Sequence, residues 1–323
     1  MTWIWTRNRS EIDDIDSSDN PQAIMDSPTA TLIGILKDRV ENLREAGDLN
    51  EALHAANATI EKSQQALGPN LDSIDVFASA LEIRADIHRE LGNFQDACDD
   101  YKQAIDQLED RPDRFGQIGR LHAGLGAAYD SLGRSDKASS HWMLAIDFFE
   151  RNEPPLMLDV AAMANNLAFL CKADGNFETA ENHFLKALEI THSQLGQEHE
   201  QTATVSSNLG ALYQAAGFHE QSRQMHEIAL ESRRKLLGEE HPDTAQSHNN
   251  LALALLNTGD RAWARRHFEK ALAGFEALGP EYHDDLEAVA ENYCQFLRDE
   301  GESQLADLIA GRVKEATQPA PVT

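Results

Sequence analysis

The chain has 323 residues, 41% of them hydrophobic, with a formal net charge of −27 at pH 7. That charge argues against DNA, RNA and anionic membrane surfaces, which call for clustered Lys and Arg, and it favours a neutral to basic partner. Three cysteines (Cys98, Cys171, Cys294) are an odd number without paired spacing, read as reduced and structural, and no segment approaches the roughly 18 apolar residues of a membrane span.

Residues 1–28 are polar and acidic (Asp13, Asp14, Asp16, Asp19, Asp26) and end at Ser27-Pro28, so a disordered or loosely packed segment is expected there. Within it, Trp3-Ile4-Trp5 is too short for the apolar region of a signal peptide, and Arg7 and Arg9 follow it instead of preceding it. A cytoplasmic address is the expectation.

From there the chain repeats. Gly47, Gly92, Gly133, Gly175, Gly217, Gly259 and Gly301 recur at steps of 45, 41 and then 42 residues. Five residues after each stands a small side chain: Ala52, Ala97, Ala138, Ala180, Ser222, Ala264, Ala306. Nine after come the rings Tyr101, Trp142, Phe184, His226 and Phe268, and twelve after come Ala104, Ala145, Ala187, Ala229 and Ala271. Each repeat reads helix, glycine turn, helix, over residues 30–68, 71–111, 113–153, 156–196, 198–238, 240–279 and 281–313. The marker glycine fits a left-handed residue at a helix C-terminus, a conformation that costs other residues about 1–2 kcal/mol. The small residue lets the second helix approach the first, where a Leu would overpack by roughly 1–3 kcal/mol. Length alone would suggest two domains, but a fixed repeat predicts one array: an all-α solenoid of seven tandem helix-turn-helix repeats over residues 29–313. Residues 314–323, with Pro319 and Pro321, are expected to form a flexible tail.

The small/ring/Ala ladder around a glycine turn resembles the tetratricopeptide repeat, whose usual period is about 34 residues; the longer period here adds about two helical turns. Asn165–Ala168 and Asn249–Ala252 before the turn, and Leu237–Ala245 after the second helix, resemble the elongated repeats of kinesin light chains and their bacterial relatives. The match is close over residues 156–297 and looser earlier, where Gly124, Ile83 and Asp38 stand at the second Asn position. The family's heptad coiled coil is not seen, so a motor-adaptor role does not follow. The resemblance implies a right-handed superhelix whose concave wall of first helices holds extended peptides.

At about 100° per residue, Asn249, Asn250, Leu253, Leu256 and Asn257 share one arc of a first helix, with His248, Leu251, Ala252 and Leu255 opposite as packing. The second Asn recurs once per repeat, at Asn166, Asn208, Asn250 and Asn292. An amide offers donors and an acceptor together, as a peptide backbone does. With helices about 10 Å apart, a strand rising about 3.3 Å per residue meets one amide every three residues. The predicted groove therefore comprises Asn165, Asn166, Asn208, Asn249, Asn250 and Asn292, with Phe169, Leu253 and Leu256 as pockets and Lys172 and Gln214 selecting charge. The alternative is that the asparagines solvate a helix face or bridge neighbouring repeats. The first two repeats place Lys37, Asp38, Glu41, Glu82, Asp86 and Arg89 on this wall, suited to electrostatic selection or a second protein.

His199, His241 and His283 stand 42 residues apart, too far for one ion with ligands about 2 Å away, and are expected to cap loops. No phosphate loop, Gly-x-Ser-x-Gly elbow or His-Glu-x-x-His occurs, so no metal, no cofactor and no enzymatic activity are expected. The Lys/Asn/Arg set of the chaperone-tail clamp is not found. The function expected is a non-catalytic interaction scaffold that binds an extended segment of a partner protein. One alternative is a peptide-responsive regulatory sensor that changes curvature, though the output domain such regulators carry is not visible. Another is an accessory subunit that uses its convex face. Trp3 and Trp5 suit either a built-in competitor for the groove or a lid on the first helix pair. Self-association through terminal segments is a further expectation, with Leu305, Leu308, Ile309 and Val313 capping the array or pairing with another chain.

Overall fold

The structure, a computed structural model, describes residues 28–67, 71–109 and 111–317, with side chains from residue 31 onward. Among these residues there are fourteen α-helices and no strand. The chain divides into two compact units, residues 1–170 and 171–323. The first contains α1 (Pro28–Glu45), α2 (Leu49–Gln65), α3 (Leu71–Glu90), α4 (Phe94–Leu108), α5 (Phe115–Ser131), α6 (Ser135–Arg151) and most of α7 (Met157–Ala173). The second contains α8 (Phe177–Leu195), α9 (Glu200–Ala215), α10 (His219–Leu237), α11 (Pro242–Thr258), α12 (Arg261–Glu276), α13 (His283–Asp299) and α14 (Ser303–Thr317). Within each unit consecutive helices pair as hairpins and the hairpins stack, which is the α-solenoid arrangement.

The turns explain the period. All seven marker glycines have positive φ, between 69° and 85°. At Gly175 its N–H donates to the Lys172 carbonyl at 3.1 Å and the next N–H, of Asn176, donates to the Cys171 carbonyl at 2.8 Å. The same pair of bonds closes α1, α3, α5, α9, α11 and α13, satisfying carbonyls that a helix end leaves open. A Cβ at any of these seven glycines would meet no atom within 4 Å, so the requirement is backbone conformation alone.

A different demand acts inside the hairpins. The seven small residues after the turns and the five rings are buried. A Cβ on Gly126 of α5 would stand 2.6 Å from the Trp142 ring of α6, and one on Gly210 of α9 would stand 2.8 Å from His226 of α10. These glycines are there for close approach, not for φ. The Trp142 indole settles its one donor on the Ala123 carbonyl at 3.2 Å. In the second unit Phe268, Tyr293 and Phe296 cluster with ring centroids 5.6–6.1 Å apart and are backed by Ala306, Ile309 and Val313 of α14.

Two expectations at the ends change. Helix α14 runs to Thr317, so residues 314–317, expected in the tail, are helical: no breaker intervenes before Pro319, and the Thr317 hydroxyl bonds Glu287. Of the four apolar residues expected to cap or pair, Ile309 and Val313 are core while Leu305 and Leu308 are exposed. Trp3, Trp5 and the rest of residues 1–27 lie outside the described residues.

The two glycine roles separate experimentally. Gly175→Ala should cost about 1–2 kcal/mol, the left-handed strain alone. Gly126→Val should cost about 1–3 kcal/mol by overpacking, and part of that should return in a Trp142→Phe background because ring and Cβ compete for one space. Urea unfolding of the four variants checks both values, and purely additive costs for the last pair would contradict the packing argument.

Candidate functional site

The predicted amide wall lies on α9, α11 and α13. These helices stand side by side: Asn250 Nδ2 donates to Ser207 Oγ at 3.5 Å, and Asn292 Nδ2 donates to Asn249 Oδ1 at 3.2 Å. Positions 42 apart form columns: Thr204, Gln246, Ala288; Asn208, Asn250, Asn292; Ala211, Leu253, Gln295; Ala215, Asn257, Asp299. Every one of these twelve is half-buried or exposed. Eleven of them carry no charge, on a chain whose net charge is −27.

The predicted residues do not all share this surface. Asn249 is 4% exposed, Asn165 0% and Asn166 5%, so these three are interior groups, not groove-lining ones. For Asn249 the reason is visible: its carboxamide oxygen accepts from Asn292 and ties α11 to α13. A first helix of a solenoid touches its own second helix and the repeats on both sides, leaving a solvent strip narrower than the arc drawn on an isolated helix. Asn208, Asn250, Asn292, Gln214, Leu253 and Lys172 are half-buried in the second unit, and Phe169 is half-buried in the first. Leu256, expected as a pocket, packs against two apolar clusters and closes the core.

Part of each amide is already engaged. Asn250 accepts from Gln246 Nε2 at 2.9 Å and uses one N–H on Ser207, which leaves one N–H and one lone pair. Asn292 uses one N–H on Asn249 and keeps the other and its oxygen. Asn250 and Asn292 thus bridge repeats and each keep part of their hydrogen-bonding capacity.

Sequence reasoning passed over Arg233 of α10. It is 7% exposed and donates to Glu200 (3.0 Å) and Thr204 Oγ1 (2.9 Å) on α9 and to Ser247 Oγ (2.9 Å) on α11, holding the wall from behind. The signal was available: sixteen residues after the marker the other repeats carry Ser63, Leu108, Phe149, Thr191, Phe275 and Thr317, none of them charged. Gln246, Ala211, Ala215 and Gln295 were also legible by stepping 42 residues from known wall positions. Burial holds the Lys172 ammonium below its ordinary range, and it has no carboxylate partner among the described residues.

The charged wall expected in the first unit is largely satisfied internally. Arg44 pairs with Glu90 and stands 3.9 Å from Asp86, which accepts from the Tyr101 hydroxyl at 2.6 Å. Glu82 accepts from Gln117 at 2.9 Å and pairs with Arg120 at 3.4 Å, yet burial still pushes its carboxyl upward.

His199 and His241 cap α9 and α11, each Nδ1 accepting from a backbone N–H at 3.2 Å. His283 does not cap: Pro280 starts a 3-10 turn, Tyr282 takes the capping place and His283 becomes the first residue of α13. Among the described residues no three metal-ligating side chains gather.

Tetratricopeptide repeat models match residues 78–107, 159–217 and 201–277. No curated protein sequence matches the chain. Among solved structures, BtubC (BKLC) from P. vanneervenii is 27% identical over 71% of this chain and 91% of its own, with a TM-score of 0.63. The kinesin light chain-type, nearly identical TPR-like repeats from Podosopora anserina share 20% identity over 61% of this chain and 93% of theirs, with a TM-score of 0.52. The apo form of RapI shares 12% identity over 88% of this chain and 97% of its own, with a TM-score of 0.63. At their identities the last two bear on the fold alone. Tetratricopeptide repeats are thus matched over residues 78–107 and 159–277, and the fold is similar to that of kinesin light chain-type repeats.

The buried histidines set a pH dependence. His122 Nδ1 lies 3.0 Å from His141 Nδ1, and His248 Nδ1 lies 2.8 Å from His267 Nδ1, so one neutral ring of each pair donates to the other. Burial first, then the facing ring, pushes His122 and His267 down to about 4; burial does the same to His226. Folded values below the unfolded value of about 6.5 mean that the unfolded chain takes up protons first as pH falls. Stability should be full above about 6.5 and decline steadily toward pH 4. Thermal unfolding at stepped pH should show that decline, and His226→Phe, which restores the ring type of Phe184 and Phe268, should make it shallower.

Proposed function

We propose that the chain is a non-catalytic scaffold whose first-helix wall in the second unit holds an extended segment of a partner protein. The observation that carries this reading is the set of nearly uncharged columns on α9, α11 and α13, in which Asn250 and Asn292, one repeat apart, keep unused donors and acceptors. A backbone strand rising about 3.3 Å per residue across helices about 10 Å apart meets Asn208, Asn250 and Asn292 at every third residue, a footprint of about seven residues.

Hydrogen bonds alone do not make the complex. Three rungs at about 0.5–1.5 kcal/mol each reach at most the bottom of an association cost of about 4–15 kcal/mol. The partner's side chains supply the remainder, seated on Leu253 beside the small Ala211 and Ala215. Micromolar affinity follows from that balance. Lys172, a half-buried ammonium without a carboxylate partner among the described residues, selects for an acidic or polar group at its end of the wall.

Peptides selected from a random display library on the intact chain provide the test. Asn208→Ala with Asn250→Ala should weaken a selected peptide by about 1–3 kcal/mol, or about 5- to 150-fold, with helical content unchanged. Leu253→Asp should abolish binding. Retained affinity in both variants would move the contact to another surface, and a change in scattering profile on binding would favour the sensor reading.

A further inference from the structure

Helix α1 shows a face that the other first helices keep covered. Ile35 stands twelve residues before its turn glycine and is 60% exposed. Its counterparts in the register, Ala80, Leu121, Met163, Val205, Ser247 and Val289, are at most 2% exposed. Leu32, three residues earlier, is 42% exposed, and each of its counterparts from Phe77 to Leu286 is buried. The cover elsewhere is the preceding second helix, which lies against α3, α5, α9, α11 and α13. Ser247 shows the contact directly, accepting from Arg233 of α10 at 2.9 Å.

On α1 this face is apolar at Leu32 and Ile35, and it runs into a recess of about 460 Å³ lined by Ile35, Asp38, Arg39, Asn42 and Leu43. An end repeat ordinarily turns a polar outer side to water. The other end of the array does so. Glu181 of α8 and Glu269 of α12 accept from tyrosines of the first helix that follows, and the matching positions of α14 are Asp307 and Gly311, both exposed.

A second copy stacked end to end would therefore set Asp307 and Gly311 against Leu32 and Ile35, with no apolar group for them to meet. The stretch that leads into α1 supplies such groups. Residues 1–27 contain no glycine, hence no turn of the repeat kind, but they hold Trp3-Ile4-Trp5. Between Trp5 and Pro28 lie 22 residues. That length spans about 70 Å when extended, against about 10 Å along α1 from Pro28 to Ile35. Charge agrees as well. Asp38 and Arg39 on the recess are exposed and have no ion-pair partner among the described residues, and the residues after Trp5 bring both signs in turn, Arg7 and Arg9 and then Asp13 and Asp14.

We propose that Trp3-Ile4-Trp5 docks on the Leu32/Ile35 face of α1 in the same molecule, taking the place that a second helix holds at α3, α5, α9, α11 and α13. Each indole can bury about 150–250 Å² there. The tether holds the segment near the face at an effective concentration in about the millimolar range, which a second copy or a free partner does not match. This surface belongs to the first unit and is independent of the asparagine columns of the second.

Fluorine NMR of the full-length chain labelled with 5-fluorotryptophan reads the docking, because the four tryptophans give four resonances that single Trp→Phe variants assign. In the wild type Trp3 and Trp5 should resonate away from the free-indole position. Ile35→Asp should return both to that position and raise their solvent isotope shift at least two-fold, with Trp142 and Trp263 unmoved. Leu32→Asp should act alike, and circular dichroism should show no loss of helix in either variant, since both side chains are exposed. Leu308→Asp, which changes an exposed apolar residue of α14, should leave all four resonances in place. The proposal is overturned if Trp3 and Trp5 already resonate as free indoles, if neither α1 variant moves them, or if Leu308→Asp moves them equally. Loss of helix in both α1 variants would overturn it by marking the face as structural. A return of Trp3 and Trp5 to the free position on hundred-fold dilution would overturn it by giving the face to a second copy.

Discussion

A helix can reverse within two residues only if one of them accepts a left-handed backbone, and the fold depends on that constraint being met at equal intervals. Gly175 and its six counterparts meet it with positive φ and the same two closing hydrogen bonds. Because each turn is built alike, each second helix returns on the same face of its first helix. The small residue five positions on then stands where the two backbones come nearest, and the ring nine positions on fills the space between them. Where the ring is largest the opposing first helix gives up its Cβ altogether, as Gly126 does against Trp142. One turn geometry therefore dictates the packing that follows it.

The same regularity produces a surface. Equal turns bring like positions of α9, α11 and α13 into line, so a residue type repeated every 42 positions becomes a column. Within the asparagine column Asn250 and Asn292 join neighbouring helices, through Ser207 and Asn249. Arg233 supports the column from behind by binding Glu200, Thr204 and Ser247 at once, where α4, α6 and α12 place Leu108, Phe149 and Phe275. An apolar residue there would pack the hairpin but leave Thr204 and Ser247 without that link. The second unit thus trades some apolar core for a wall of fixed geometry.

Charge is handled differently in the two units. In the first, carboxylates and guanidiniums on the first helices satisfy one another, as Glu82 and Arg120 do. In the second, the wall columns are almost without charge, and ion pairs such as Arg223 with Glu227 on α10 and Arg298 with Asp307 between α13 and α14 lie outside those columns.

The helical hairpins, their number, the turn glycines, the small residues and the ring positions were all legible in the amino-acid order, because each answers a local demand that recurs with the period. So was the general place of the wall, and Asn208, Asn250, Asn292 and Leu253 stand where a helix drawn alone puts them. What the order of residues left undecided is which member of a neighbouring pair faces out. Asn249 and Asn250 differ by one position and fall in one arc, yet the first is interior and bonds Asn292 while the second is half-exposed. Only the neighbouring helices decide that, since the width of the free strip depends on how closely three other elements crowd the first helix. The partners of a charge are equally a matter of tertiary structure: nothing near Arg233 in the chain tells that it binds three side chains from two helices. Periodicity records what each repeat demands of itself, and proximity across repeats settles what remains free for a ligand.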